Sequence, residues 1–299
     1  MIILNGKIYT IENELIKVDL GEEGGELFRI KGKINNVDFL WNGRKYGWPL
    51  SSPTLFPIIG KVKNNIYRIN DNKFKMSQHG FASRLNHELI YKDDNSIEFQ
   101  LKYCRKTLKR YPFKFILKSK YTLDNNTINI KFTVENIDNK DIIFTLGSHP
   151  TFICPLSKNE EVDNYYLEFN EYEECAKVLS ITKDDFLTGE EKEYIVNNNK
   201  MFLSENTFKN GTLIFNNLKS NKVSLKCKNR SEYVTVDFSE FRYLSMWATE
   251  NTKPFICIEP WLGHADYDDF EGDFREKEGN IILESGKVFA CEYKIIINQ

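Results

Sequence analysis

The sequence predicts an all-β chain, a sandwich or barrel of antiparallel strands formed as one domain over residues 1–299. Three observations predict it. Apolar and polar residues alternate with period two in most of the chain. Asn-, Asp- and Gly-rich turns separate the alternating runs. Helical periodicity is scarce, and no Pro/Gly/Ser linker or step in composition divides the chain.

Taken in order, "NIYRINDNKFKMS" reads as two short strands around an Asn70-Asp71-Asn72 turn. "ELIYKDDNSIEFQLKY" repeats the pattern, with Ile97, Phe99, Leu101 and Tyr103 on one face. "FKFILKSKYTLDNNTINIKFTVENID" does so again around Asp124-Asn125-Asn126, placing Ile128, Ile130, Phe132 and Val134 together. Further strands follow in "KVSLKCKNRSEYVTVDF", "RYLSMWA", "PFICIEPW" and "NIILESGKVFACEYKIII". Residues 181–209 lack this alternation and are expected to form a short helix and loops.

The 299 residues suffice for one large β domain, and apolar residues at 41% suffice to give it a core. Lys and Arg number 41 against 43 Asp and Glu, so no net field points to nucleic acid or an anionic membrane. The basic stretch 102–120 interleaves cations with Phe and Tyr. Its alternation fits a half-buried strand better than a nucleic-acid patch. Six cysteines occur without a CxxC pair or zinc-site spacing. The opening residues lack a signal-like apolar run, and no segment approaches the ~20 apolar residues of a membrane span. A cytoplasmic protein with reduced thiols is the expectation.

Three segments break the strand grammar with titratable residues. "QHGF" sets His79 before Gly80, where the backbone can turn sharply. "GSHPTF" sets His149 before Pro150, which biases it to an extended conformation. "FICIEPWLG" ends an apolar run at Glu259, again followed by proline. Any one of these alone reads most simply as a solvated turn or a polar strand end. Together, two imidazoles and a carboxylate on separate stiffened segments are the groups chosen for proton transfer near neutral pH. Trp41, Trp48, Trp247 and Trp261 lie in or near these segments. Their flat rings suit the C–H faces of a sugar as well as they suit a core. His87 begins a strand, and His264 sits in an acidic loop. That loop, "DYDDFEGDFREKEG", has Phe270 where a calcium site needs an oxygen, so it is read as a solvated turn.

"SPTLFPIIGKV", "QHGFA", "LGSHPTF" and "CIEPWLGHAD", in this order and spacing, resemble the aldose 1-epimerase (galactose mutarotase) family, and its LacX-like branch in particular. The resemblance runs from "GGELFRI" to "ESGKVFACEYKI". It implies a β-supersandwich of large antiparallel sheets around one cleft, working without cofactor or metal, as a monomer or homodimer. It also implies interconversion of the α and β anomers of a free aldose by ring opening and reclosure. Carried onto this chain, Glu259 is the base at the C1 hydroxyl and His149 the acid at the ring oxygen. His79 stands beside it to position the sugar. Lys61, Gln78, Trp48, Trp247 and Trp261 are the expected sugar contacts. Opening the ring moves protons at two oxygens bonded to one carbon, so acid and base must both come within about 3 Å of that centre.

Two departures bear on the substrate. Lys61 stands where relatives often carry arginine, which trades a planar fork for a point charge. Where the subgroup commonly has "HGFAR" this chain has "HGFAS", with Arg84 one place later. No residue is assigned to a further substrate-binding aspartate of classical mutarotases. A hexose-6-phosphate 1-epimerase, with Lys45, Lys61 and Lys63 gathered for the phosphate, is an alternative. A non-catalytic carbohydrate-binding protein is another.

Overall fold

Alternating runs become paired strands wherever Asn or Asp lets the chain reverse. In the computed structural model Asn70 and Asp71 take φ values of 45° and 66°. Two successive positive φ angles make the tight reversal that matches strand twist, and here they join Ile66–Ile69 to Asn72–Lys75. Asn125, at φ 52°, similarly joins Phe115–Asp124 to Thr127–Asn136. The structure describes residues 6–42, 48–249, 252 and 254–299, and every count below refers to these.

The strands form two large antiparallel sheets. The nine-stranded sheet runs, in spatial order, Lys200–Phe202, Tyr165–Phe169, Lys222–Cys227, Tyr233–Asp237, Val288–Asn298, Thr127–Asn136, Phe115–Asp124, Ser96–Lys102 and Glu88–Lys92. The eight-stranded sheet runs Leu187–Glu193, Lys177–Ile181, Leu213–Phe215, Tyr243–Trp247, Phe255–Trp261, Gly147–Ser148 and Thr54–Leu55. Its eighth strand, Thr151–Ile153, also pairs with Phe255–Trp261. The main core lies between them. Ile128, Ile130, Phe132, Val134 and Ile295 face it from one sheet, and Leu244, Met246, Ile256 and Ile258 from the other.

Period two then sorts the opposite face of the eight-stranded sheet. Phe255 and Cys257 join one small apolar cluster with Trp41, while Trp261 joins another with Leu55, Ile214 and Tyr243. Glu259 falls between them on the same face. The strand is buried along its whole length, so the "strand-terminal" glutamate is an interior one.

Two stretches differ from expectation. Residues 181–209 contain the strands Leu187–Glu193 and Lys200–Phe202 rather than a helix. After Leu187, every residue of the first is exposed, because it is a sheet edge with no core face to demand alternation. The basic stretch is not one continuous strand: Arg105–Leu108 form a helical turn, started by Thr107 Oγ1 accepting from the Cys104 amide at 2.8 Å.

Candidate active site

Sheet register brings the site together. Gly147 pairs with Trp261, and Thr151 pairs with Cys257. His149, halfway between Gly147 and Thr151, is thereby level with Glu259, halfway between Trp261 and Cys257. The backbone of "GSHP" is pinned on both sides: the His149 amide donates to Pro53 O at 3.1 Å, and the Ile258 amide to Pro150 O at 3.1 Å. Position 147 must be glycine, since a Cβ there would lie 2.9 Å from Trp261, Ile59 and the Pro260 carbonyl.

His79 arrives from a turn. Its φ is 60°, and Gly80 follows at 75°. A Cβ on Gly80 would come within 2.1 Å of the Phe56 carbonyl, so only glycine lets "QHGF" press against that strand. The His79 amide donates to Gly60 O at 2.8 Å, and the Gly60 amide donates to His79 Nδ1 at 3.2 Å. With Nδ1 accepting, the neutral ring carries its proton on Nε2 as a donor.

The three groups meet on the wall of one cleft of about 280 Å³. At roughly 30 Å³ per water, that is on the order of nine waters, the scale of a monosaccharide. His149 Nε2 lies 3.2 Å from Glu259 Oε2. The rings of His79 and His149 are 5.7 Å apart, edge to face. Trp48 stacks on His149 at 4.7 Å, and Trp247 approaches Trp48 at 5.4 Å. Trp261 lies 6.0 Å from His79. Gln78, Trp48, Trp247 and Trp261 all line the cleft. Trp41 does not; it packs on Phe255 and donates to the Trp48 carbonyl at 3.2 Å.

Burial dominates the electrostatics. It raises Glu259 well above the usual carboxylate range, and the neighbouring Trp261 indole opposes this. It lowers His149 well below an ordinary imidazole, with His79 adding repulsion. His79, half-buried in the cleft wall, is lowered to about 4 by desolvation, then by Arg84; Asp185 opposes and Lys61 adds to the shift. A dry cleft therefore favours neutral acid beside neutral imidazole. That pair holds the same number of protons as carboxylate beside imidazolium, so Glu259 and His149 act as one unit sharing one proton. Among the described residues no group is aligned to hydrogen-bond His149 Nδ1. Buried polar atoms left in this way are costly unless a ligand meets them.

His149, Cys257 and Glu259 also present donor atoms within 4.8 Å of one another. Burial raises the Cys257 thiol, and its sulfur contacts Thr151 Oγ1 at 3.4 Å. A metal there would have to displace the thiol proton and take the atoms through which His149 and Glu259 face each other.

Other candidates lie elsewhere. Lys61 is not part of the cleft lining; its Nζ lies 2.9 Å from both Asp184 O and Asp185 Oδ2. Lys63 pairs with Glu271 at 2.8 Å beside a separate hollow. Lys45 lies outside the described residues. His87 is buried with Nε2 3.0 Å from Ala82 O. The acidic loop is not simply a solvated turn: Asp266 and Lys277 form a buried ion pair at 3.0 Å beside buried His264. Arg84, Asp185, Thr212, Ser83 and Leu50 line the cleft without having been singled out as contacts. Of these, Ser83 and Arg84 carried a signal, the first as the departure within "HGFAS" and the second just after it.

Comparison with known proteins places the chain in a family. The family model described as aldose 1-epimerase matches residues 7–281. The LacX protein of Lactococcus lactis subsp. lactis is 33% identical over 260 residues, spanning 85% of this chain and 87% of that protein. A galactose mutarotase related enzyme from Lactobacillus acidophilus superposes with a TM-score of 0.92 at 32% identity, covering 98% of both chains. A galactose mutarotase-like protein from Lactobacillus casei ATCC 334 gives 0.92 at 30% identity, covering 98% of this chain and 100% of that one. Sheet architecture and sequence thus converge: the chain belongs to the aldose 1-epimerase family.

Proposed function

We propose that the protein is a mutarotase, interconverting the α and β anomers of a free aldose. The observation that carries this reading is the buried Glu259–His149 contact of 3.2 Å, with His79 beside it on a monosaccharide-sized, tryptophan-lined cleft. The sugar would stack an apolar face on the indoles and place its hemiacetal carbon over the pair.

With the shared proton passed from Glu259 to His149, Glu259 takes the proton of the C1 hydroxyl while His149 delivers one to the ring oxygen, and the C1–O5 bond opens to the aldehyde. Rotation about C1–C2 presents the other carbonyl face, and closure runs the same transfers in reverse. Each group must act as acid and as base in turn, so the two need balanced proton affinities. Direct contact supports this, because the proton can return between them without solvent. His79, held as an Nε2–H donor by Gly60, would stabilise negative charge growing on the ring oxygen.

A free sugar is favoured over a sugar phosphate. Arg84 is the one Lys or Arg side chain among the described residues lining the cleft; Lys61 is neutralised by Asp185 and Lys63 by Glu271. Polarimetry of freshly dissolved aldoses and hexose 6-phosphates, with and without protein, tests the reading. Accelerated mutarotation of a free aldose is expected. Acceleration of the phosphate alone, or of none, would contradict it.

A further inference from the structure

Lys61 and Asp185 are 124 positions apart in sequence yet form a two-point clasp: Nζ donates to Asp185 Oδ2 and to Asp184 O, each at 2.9 Å. The Lys61 and Asp185 side chains are 29% and 48% exposed. A pair this open stabilises a fold by about 0–1 kcal/mol at most, so fold stability does not account for it. What it does fix is the position of Asp185.

Asp185 sits in the turn between Lys177–Ile181 and Leu187–Glu193. The turn is internally tied: the Thr182 amide donates to Phe186 O at 2.8 Å, and the Asp184 and Phe186 amides both donate to Thr182 Oγ1 at 3.2 Å. Its two ends are anchored at the cleft, by Ile181 in the wall and by Leu187 packed with Trp261. Asp185 itself lines the cleft. Lys61 uses its Oδ2, and Oδ1 makes no hydrogen bond among the described residues. Beside Lys61, Gly60 holds His79 by accepting from its amide and donating to its Nδ1. One short segment, Gly60–Lys61, therefore sets both the histidine and the carboxylate.

We infer that Asp185 is a specificity-determining residue that accepts hydrogen bonds from hydroxyl groups of the bound sugar, and that Lys61 is a positioning residue acting through it. The inference rests on the sugar reading above. It reassigns the Lys61 charge from direct contact to holding an acceptor, and it limits the substrate class to polyols with a hydroxyl at that wall. A carboxylate there repels an anionic substituent.

The test is steady-state anomer exchange by Asp185→Ala, Lys61→Met, Lys61→Arg and the Lys61→Met/Asp185→Ala double variant, with thermal unfolding as a check on folding. Loss of a hydrogen bond to a charged group corresponds to roughly ten- to hundred-fold. Asp185→Ala should raise KM by that factor, with kcat close to wild type. Lys61→Met should raise KM less, Lys61→Arg should restore it, and the double variant should be no worse than Asp185→Ala. Among singly deoxygenated substrates, one should show the same KM in wild type and Asp185→Ala. An unchanged KM in Asp185→Ala, or fully additive effects, would overturn the inference. Were the wild type to turn over no aldose, sugar titration of the same variants by NMR would decide separately. Asp185-dependent binding would leave the inference standing without the epimerase reading, and binding unaffected by Asp185→Ala would end both.

Discussion

Lowering the pH from neutral to 4 should unfold this protein through histidines far from the cleft. His87 and His264 are each about 1% exposed and are lowered to about 4, mainly by burial. An unfolded histidine titrates near 6.5. Between these values the unfolded chain binds the extra proton and the folded one does not. Stability is therefore full above about 6.5 and falls as the pH drops towards 4. A gap of about 2.5 pH units at 1.36 kcal/mol per unit is about 3 kcal/mol for each histidine. The two together remove about 6 kcal/mol by pH 4, a large part of the 5–15 kcal/mol that ordinarily holds a domain. His149, also lowered, adds loss of the same sign. Glu259, raised, acts oppositely, since its folded form takes up a proton first as pH falls. Carboxyls held low, such as Glu168 beside Lys226, lose their contribution only further into acid. Urea unfolding at a series of pH values should show stability falling near pH 5 with a slope of about 2.4 kcal/mol per unit from these two groups. His87→Gln should lower that slope by about 1.2. A flat profile from 6.5 to 4.5, or an unchanged slope in the variant, would refute the reasoning.

Three further predictions concern the cleft. Glu259→Gln keeps side-chain volume and removes the base, so kcat for anomer exchange should fall by roughly 10²–10⁴-fold, while NMR titration shows sugar affinity within several-fold of wild type. His149→Asn should lower kcat far more than it raises KM in initial-rate polarimetry; a change confined to KM would reduce His149 to a binding group. The rate should not titrate at 6.5, where free imidazole does, because burial keeps His79 and His149 neutral well below it. A pH–rate profile with an inflection at that point would contradict the shared-proton description.

The hairpins were legible because their signals are local. Asn and Asp tolerate positive φ at the reversals, and alternation marks the buried face of each strand. The proton-transfer groups were legible for a related reason: glycine and proline beside His79, His149 and Glu259 report a backbone constrained around a titratable side chain. What sequence does not carry is register. Nothing local shows that His149 stands level with Glu259; that follows from Gly147 pairing with Trp261 and Thr151 with Cys257. Edge strands such as Leu187–Glu193 escape notice because solvent imposes no alternation on them. The partners of charges are hidden in the same way. Lys61 reads as a sugar contact until the fold brings Asp185 to it, and Asp266 reads as solvated until Lys277 is buried against it.

The claim at the centre is that one carboxyl–imidazole pair opens and recloses a hemiacetal. Magnetisation exchange between the α and β anomeric protons of an aldose already at equilibrium measures that event itself, free of any net reaction. Cross-peaks that appear with catalytic amounts of protein and vanish with Glu259→Gln are the predicted result. Their absence across a panel of aldoses that the protein demonstrably binds would contradict it.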